Sequence, residues 1–462
     1  MALSIRANPL TFISFHRITG NLFFLVLLIY SIVYAAERII YVDSAWVFFK
    51  QVNDQSFACS WERFAAFISE IPLFVAVKLH LPFKVLVYIF SAGFIVLYYL
   101  IWRLCTYKLK NQVAGLLIIL GMIMGVRETF LHTITETHQV LVYSALLFAL
   151  IQAKYRNLFF KSCIVCSVTI FVLFTHPLGL FTSGFVLLYY FIEKRNFKEI
   201  LIWLMAIIII SFGIWSFLHP ANPYDANQIS ELKNSTGTPS SFWNSHALAF
   251  LTMHFKHFYW LPELAGVIVF VWLIIKKEWL KLVAVTFSVA AYLVIACITF
   301  HNGDASIMLE RIFLPAFFMI NLVLADLLFG KIKMHKFIPM VLVLFFLVNG
   351  IHYINWGCLY YKKRVAYLDE LVQKGIAQGN DVYFISDKNV DKEKLLGNWA
   401  VGAETLIYSK FKYDKCISIS NEGEICAAGS CRVTSMLCVP VNELNQKYFH
   451  LSGKPYQELI IK

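Results

Sequence analysis

Asp43 has the position and the neighbours expected of a general base. It lies seven residues beyond the end of the first apolar segment, in the run from Glu37 to Trp46, among mostly apolar and aromatic residues. Such neighbours partly desolvate a carboxylate and raise its pKa, which suits a group that takes a proton from a hydroxyl. The same pattern also fits a solvated loop acid with no chemical role.

A second polar segment, residues 127–138, carries acids and histidines at a regular spacing. Glu128, His132 and Glu136 recur every four residues and are predicted to line one face of a helix. Two carboxylates and an imidazole on one face could bind a divalent cation such as Mg²⁺ or Mn²⁺, or orient a substrate hydroxyl and phosphate. The alternative is an ordinary polar helix end in which Arg127 pairs with an acid.

Arg311 and His176 complete the candidate residues. Arg311 opens an apolar segment, where a guanidinium suits bidentate contact with a phosphate, or an ion pair with Glu310 or Asp304. His176 precedes a proline and is either a ligand or a helix-end hydrogen bonder. The side chains predicted to bind substrate are Arg38, Arg127, Glu128, Glu136, His138, His176 and Arg311.

The elements that must position these residues are membrane-spanning helices. The 462 residues are 59% hydrophobic with a mean hydropathy of +0.67, too apolar for a soluble chain of this length. The apolar run 162–192 is too long for one span and is broken at His176-Pro177, so it is divided into two. The predicted spans are 19–36, 84–102, 112–126, 139–153, 162–176, 177–192, 200–217, 259–275, 282–299, 311–329 and 337–352.

Clusters of lysine and arginine predict the orientation of the bundle. The N-terminal tail and five short basic loops hold 17 of the 40 Lys and Arg, and cationic loops stay on the cytoplasmic side. The net charge of +12 is therefore a topology signal plus attraction to membrane lipids, and not the mark of a nucleic-acid partner. The basic loops begin at Arg103, Lys154, Lys194, Lys276 and Lys331.

The loops that carry the candidate residues then face outward, and two of them are long. Residues 37–83 contain aromatic and charged residues at spacings typical of amphipathic helices on a membrane surface. Residues 218–258 are rich in Pro, Asn, Ser and Thr, which favours a loop that covers a site. The N-terminal apolar segment is interpreted as a retained anchor.

The chain divides into a membrane bundle, 1–352, and a tail, 353–462. The tail has 14 Lys and Arg and 12 Asp and Glu, and its pattern predicts a small extracytoplasmic α/β domain. Its predicted helices are 362–377 and 400–410, and its predicted strands are 381–386, 415–420, 448–452 and 457–461. In an oxidising compartment, four cysteines could form two disulfides of any connectivity: Cys416, Cys426, Cys431 and Cys438.

This arrangement resembles the GT-C superfamily of integral-membrane glycosyltransferases, which use polyprenyl-phosphate-linked sugars. The shared features are a cytoplasmic N-terminus, an acid after the first span, a second acidic outer loop after the third, and a soluble domain after the last. The resemblance implies that Asp43 is the general base, that Glu128 or Glu136 belongs to the second acidic site, and that Arg311 binds phosphate. One departure is Ser44, which follows Asp43 where the family often has a second acid.

The function implied by the resemblance is inverting sugar transfer. The donor is a polyprenyl-phosphate sugar, the acceptor is an envelope glycan or lipid, and the place is the outer face of a bacterial inner membrane. The pattern leaves open a polysaccharide polymerase or ligase, a transporter of lipid-linked substrates, and a non-catalytic membrane protein. A transporter favours acids or broken helices near the membrane midplane.

Overall fold

The structure is a computed structural model, and it describes most of the chain. The described ranges are 9–41, 43–58, 63–133, 136–195, 198–235, 242–330, 337–386, 389–395, 400–421, 444–452 and 456–461. In these ranges the chain forms a bundle of apolar helices, and its C-terminal part adds a small three-stranded sheet.

Each of the eleven predicted spans coincides with a helix, and seven of these helices are long and apolar enough to cross a membrane. The protein is therefore a multi-pass integral membrane protein. The seven are α1 (Pro9–Val33), α5 (Phe83–Arg103), α8 (Leu158–Thr175), α10 (Ile200–Leu218), α14 (Trp279–Thr299), α15 (Ser306–Gly330) and α16 (Phe337–Gln378).

The other predicted spans are shorter helices that lie among the long ones. In the helix Gln112–Gly121 all residues from Ala114 onward are buried, and in the helix Glu136–Gln152 nearly all residues are buried. By comparison, only four residues of α10 are buried. The other two short helices are only partly buried, with eight and five of their 16 residues buried. In a bundle, neighbouring helices shield the ends of short helices from lipid. They are α6 (Gln112–Gly121), α7 (Glu136–Gln152), α9 (Gly179–Lys194) and α13 (Trp260–Ile275).

Side-chain caps fix where several of these helices begin. Asn111 accepts the backbone N–H of Ala114 at the start of α6, and Asn157 accepts two N–H groups at the start of α8. These bonds satisfy donors that have no partner within the helix.

The long polar segments fold into short helices at one end of the bundle, which we call the loop end. In the described part of 37–83, α2 to α4 and a 3-10 helix match the helices predicted there; in the described part of 218–258, α11 and α12 stand where a loop was predicted. α12 and α13 meet at a bend of 84°. The bounds are α2 (Ala35–Ile39), α3 (Asp43–Asp54), the 3-10 helix (Phe64–Glu70), α4 (Ile71–Lys78), α11 (Pro223–Ser235) and α12 (His246–Phe255).

The opposite end of the bundle, the basic end, carries the described lysine and arginine clusters. Lys281 of α14 lies 2.9 Å from Glu278 and 3.5 Å from Asp326 of α15, and it also pairs with Glu193 of α9. The ion pairs join three helices at this end. They also show that Glu193, Glu278 and Asp326 lie with the basic clusters.

The tail is joined to the bundle by one uninterrupted helix. The predicted last span and the predicted helix 362–377 are both part of α16, which continues for 42 residues. A separate second helix was wrong, because no proline interrupts residues 353–363 and the helical hydrogen bonding simply continues. At about 1.5 Å per residue, such a helix reaches well beyond the bundle.

A three-stranded parallel sheet packs beside α16 and α18 (Val401–Tyr413), with strand order β2-β1-β3. The strands are shorter than predicted, and residues 448–452 are not a strand. A short helix, α17 (Lys392–Leu395), follows β1. The strands are β1 (Val382–Phe384), β2 (Ser418–Ser420) and β3 (Gln457–Glu458).

The disulfide prediction falls mostly outside the described residues, which contain only the first of the four cysteines. Cys416 is buried, and its sulfur lies 3.8 Å from the carbonyl oxygen of Tyr448 and accepts the backbone N–H of His450. The pairing among the cysteines therefore stays a prediction.

The tail docks on the first long segment. The backbone N–H of Asn445 donates to Asn53 and its side-chain amide to the carbonyl of Val52, so both bonds hold the end of α3. Arg364 of α16 donates to the carbonyl oxygen of Ile40, just before α3. The segment that carries Asp43 is thus held at both ends by the tail.

Candidate functional site

Asp43 and His132 meet at the loop end. Oδ2 of Asp43 lies 3.2 Å from Nε2 of His132, and because burial lowers the pKa of His132, the contact joins a carboxylate to a neutral ring. The Asp43 side chain is 35% exposed, whereas that of His132 is 2% exposed. Asp43 is therefore the member of the pair that an outside molecule can reach, and His132 supports it from behind.

The ionisation of Asp43 differs from the sequence prediction. Burial does raise the pKa of this carboxyl, as expected, but the contact with His132 and the charges of Arg311 and Arg63 outweigh it. The pKa lies below its usual value, so the group is a carboxylate at neutral pH. The neighbours along the chain were read correctly, but charges from distant segments decide the sign.

The segment 127–133 is not a helix, which overturns the prediction that Glu128, His132 and Glu136 share one helix face. Within the described residues, the helix starts only at Glu136, and residues 122–133 form turns. Gly125 has a φ of +77°, a conformation that L side chains rarely adopt and that does not continue a helix. The four-residue spacing therefore does not reflect the periodicity of a helix.

Each of the three residues takes its own partner. Glu128 pairs with Arg127 and accepts the hydroxyl of Ser306 at 3.0 Å. His132 faces Asp43, and Glu136 faces two arginines. Among the described residues, no group of three His, Cys, Asp or Glu is arranged to hold a metal ion. The three predicted ligands do not fit a shared cation, and dependence on Mg²⁺ or Mn²⁺ stays a prediction.

Two arginines share the carboxylate of Glu136. Arg311 donates to it at 3.0 Å, and Arg63 lies 3.5 Å from its other oxygen. Both guanidinium groups are nearly buried, at 5% and 9% exposed. Arg311 therefore forms an ion pair, as one of the two predictions for it held. Its partner is Glu136, and not Glu310 or Asp304.

A cavity of about 280 Å³ opens beside these arginines. Arg63, Arg311, His176 and Asp225 belong to its polar lining, and the rest is mostly apolar, from α8 to α11, α14 and α15. Aromatic and aliphatic side chains line most of its wall: Phe174, Phe181, Phe212, Trp215, Ile229 and Leu232. The cavity can hold a molecule that is largely apolar and carries an anionic group at one end.

Helix α11 covers this cavity and is tied down by polar contacts. Asp225 lies 3.6 Å from Arg63, and Asn302 donates to Glu231 at 3.2 Å. Both contacts reach from α11 to other segments at the loop end. Helix α11 thus contributes to the wall of the cavity, and the prediction that residues 218–258 cover a functional site stays a prediction.

His176 serves the helix end and the cavity together. Its Nδ1 accepts the backbone N–H of Leu178 at 3.1 Å, while the ring lines the cavity. Burial, followed by the charges of Arg63 and Arg311, lowers the pKa of His176 well below its usual value. The ring is therefore neutral at pH 7 and can offer a hydrogen bond but no charge.

Other predicted residues lie nearby but have structural partners. Arg38 is 2% exposed and donates to Ser91 and to the carbonyl of Phe130. Arg127 lies over the rings of Phe258 and Trp356, 4.8 and 5.1 Å from their centroids. Arg38 and Arg127 therefore hold the loop that carries His132, and neither lines the cavity. The remaining one, His138, is buried in the first turn of α7.

Sequence reasoning missed Arg63, Asp225 and the structural role of Ser44. Arg63 had a detectable signal, since it is an arginine between aromatic residues in a loop predicted to face outward. Ser44 accepts the backbone N–H of Thr133 at 3.1 Å, so the residue in place of the family's second acid joins α3 to the His132 loop. No local sequence pattern predicts the contact between Ser44 and Thr133.

Comparison of the chain with protein-family models, with curated proteins and with solved structures found no match. The functional argument therefore rests on the geometry of the site.

Proposed function

We propose that this protein is a membrane glycosyltransferase of the GT-C type that uses a polyprenyl-phosphate sugar as donor. The observation that carries the proposal is a cavity that is apolar along most of its wall and lined by Arg63 and Arg311, the two arginines whose charges also lower the pKa of Asp43. A polyprenyl phosphate has the same polarity: a long apolar chain that ends in an anion. The acceptor is an envelope glycan or a lipid that approaches the exposed side of Asp43.

The residues fit the chemistry of such a transfer. Asp43 takes the proton of an acceptor hydroxyl as that oxygen attacks the anomeric carbon. The bond from the anomeric carbon to the phosphate oxygen breaks, its electron pair leaves with the lipid phosphate, and Arg311 and Arg63 stabilise the charge. In-line attack inverts the anomeric centre, and the proton on Asp43 passes to solvent.

His132 keeps the base in its reactive form. An isolated carboxylate in partly apolar surroundings is driven towards its protonated state, and burial acts on Asp43 in this direction. The contact with His132 and the two arginine charges oppose it. The base is thus ionised and aimed before the acceptor arrives.

We place the loop end outside the cytoplasm and the protein in a bacterial inner membrane. The support is the separation of the described basic clusters from the site, because cationic loops remain cytoplasmic. Nucleotide sugars are not supplied outside the cytoplasm, so a donor carried on lipid is chemically suited to that compartment.

The test is transfer of radiolabelled sugar from membrane polyprenyl-phosphate donors by purified, correctly inserted protein. Asp43→Asn is expected to lower the rate by about 10²- to 10⁴-fold, the usual contribution of general base catalysis. Undiminished transfer by this variant removes Asp43 from the mechanism. Absence of transfer by the wild type across a broad donor panel rejects the glycosyltransferase proposal.

One observation favours a second function, transport of a lipid-linked substrate. α12 and α13 together resemble one apolar span that is broken by a bend of 84°, and broken helices are common in transporters. A flipping assay with fluorescent polyprenyl-phosphate sugar in vesicles distinguishes the two. Movement of label across the bilayer without any sugar transfer supports the transporter.

A further inference from the structure

Glu310 is a buried carboxylate that holds three consecutive residues of the His132 loop. It is 0% exposed and lies in the second turn of α15. Oε1 accepts the backbone N–H of Arg127 at 2.7 Å and that of Thr129 at 3.0 Å, and Oε2 accepts that of Glu128 at 3.1 Å. The hydroxyl of Thr129 donates a fourth bond, at 2.6 Å.

These four bonds need a charged group with acceptors only. An ionised carboxylate can accept all four, and such charge-assisted bonds are stronger than neutral ones. An amide in its place offers one oxygen and an NH₂ group that faces backbone N–H donors. The carboxylate thus imposes one conformation on residues 127–129 that a neutral side chain does not.

Adjacent residues of α15 hold both ends of the same loop. Glu310 binds its start at residues 127–129, and Arg311 binds its end at Glu136. Between these points, Thr133 donates to Ser44 and His132 faces Asp43. A shift of the loop start therefore displaces His132 from Asp43, and the displacement acts on the base without any contact between Glu310 and substrate.

We infer that Glu310 is a positioning residue of the transfer reaction, which acts through the loop 127–133 to hold His132 against Asp43. The inference rests on the proposed function. Misplacement of a supporting group by about 1 Å can cost about 100-fold in rate. Glu310→Gln is thus expected to lower kcat by about that factor, with a small effect on the donor KM, because the cavity arginines stay in place.

A double-mutant cycle with His132→Asn separates positioning from mere stability. If Glu310 acts through His132, Glu310→Gln lowers kcat strongly in the wild type and hardly at all in the His132→Asn background. The acid limb of the pH profile also moves to higher pH in Glu310→Gln, because Asp43 loses the contact that lowers its pKa. Equal losses in both backgrounds, with an unmoved acid limb, overturn the inference.

Two further variants keep the test decisive. Thr129→Val removes a single bond of the four, so it is the milder probe if Glu310→Gln does not fold, and the same cycle applies to it. Glu370→Gln is the matched control, since Glu370 is an exposed acid that pairs with Lys374 in the tail. Rates are divided by the amount of folded protein. Wild-type transfer is measured first, so failure of the proposed function is seen apart from failure of this inference.

Discussion

Nε2 of His132 lies 3.2 Å from Oδ2 of Asp43, and the histidine is the buried member of the pair. This relationship makes the two residues one unit, in which an exposed carboxylate is held by an imidazole that solvent does not reach. It also predicts how activity depends on pH.

Replacement of His132 by Asn is expected to raise the pKa of Asp43. In the wild type this pKa lies below its usual value of about 4, so transfer falls only when the pH drops below that range. Without the imidazole, only the arginine charges oppose the effect of burial on the pKa of Asp43. This pKa therefore rises, and the acid limb of the pH profile moves to higher pH. The measurement is kcat against pH for both proteins; coincident acid limbs would contradict the assignment.

Arg311 is expected to stabilise the leaving phosphate. Arg311→Gln removes a charge-assisted contact worth roughly 1.5–3 kcal/mol, so kcat/KM is expected to fall by about 10- to 100-fold. Arg311→Lys keeps the charge but loses the planar fork, and it is expected to recover only part of the rate. The measurement is kcat/KM with a polyprenyl-phosphate donor.

Arg103→Gln is the control for the Arg311 variants, because Arg103 lies at the basic end, over the ring of Tyr107. It leaves kcat/KM near the wild-type value if the phosphate binds at the loop end. An equal loss in both glutamine variants would show a general charge effect.

Asp225 is expected to compete with the donor for Arg63. The two side chains lie 3.6 Å apart, and Asp225 belongs to the helix that covers the cavity. Asp225→Asn removes this anion, so the donor KM is expected to fall a few-fold while kcat changes little. The measurement is the donor KM at low salt. A higher KM would mean that Asp225 closes the cavity productively and does not obstruct it.

The ion pair of Arg364 and Glu404 is expected to be a main stabiliser of the tail. Both side chains are 0% exposed, and Nη2 lies 2.5 Å from Oε2. Glu404→Ala leaves a buried guanidinium without its counter-charge, which typically costs about 3–5 kcal/mol. The measurement is the unfolding transition in detergent.

Lys374→Ala serves as a comparison for Glu404→Ala, since the exposed pair of Lys374 and Glu370 contributes at most about 1 kcal/mol. Similar transitions for the two variants would contradict the importance of the buried pair. Glu404→Ala is also expected to loosen α3, because Arg364, the partner of Glu404, donates to the carbonyl oxygen of Ile40 just before α3.

The sequence by itself determined the membrane class and placed a helix at each predicted span, and seven of these helices are long and apolar enough to cross a membrane. It also singled out Asp43 and Arg311, whose roles stay predictions. Hydropathy and charge clusters are local properties of a chain, so they can be read without knowledge of its fold. The same reasoning placed helices in the first long loop. It was wrong where a local pattern was extended into a contact, as for the helix face of Glu128, His132 and Glu136.

Only the tertiary structure decided which groups meet. The bond from Thr129 to Glu310 joins residues 181 positions apart, and the contact of Ser44 with Thr133 joins residues 89 apart. The pKa of Asp43 follows from charges brought by other segments, and Arg63 enters the site through its distance to Glu136. Such pairings depend on how helices pack across the bundle, and the spacing of residues along the chain does not encode them in any local pattern.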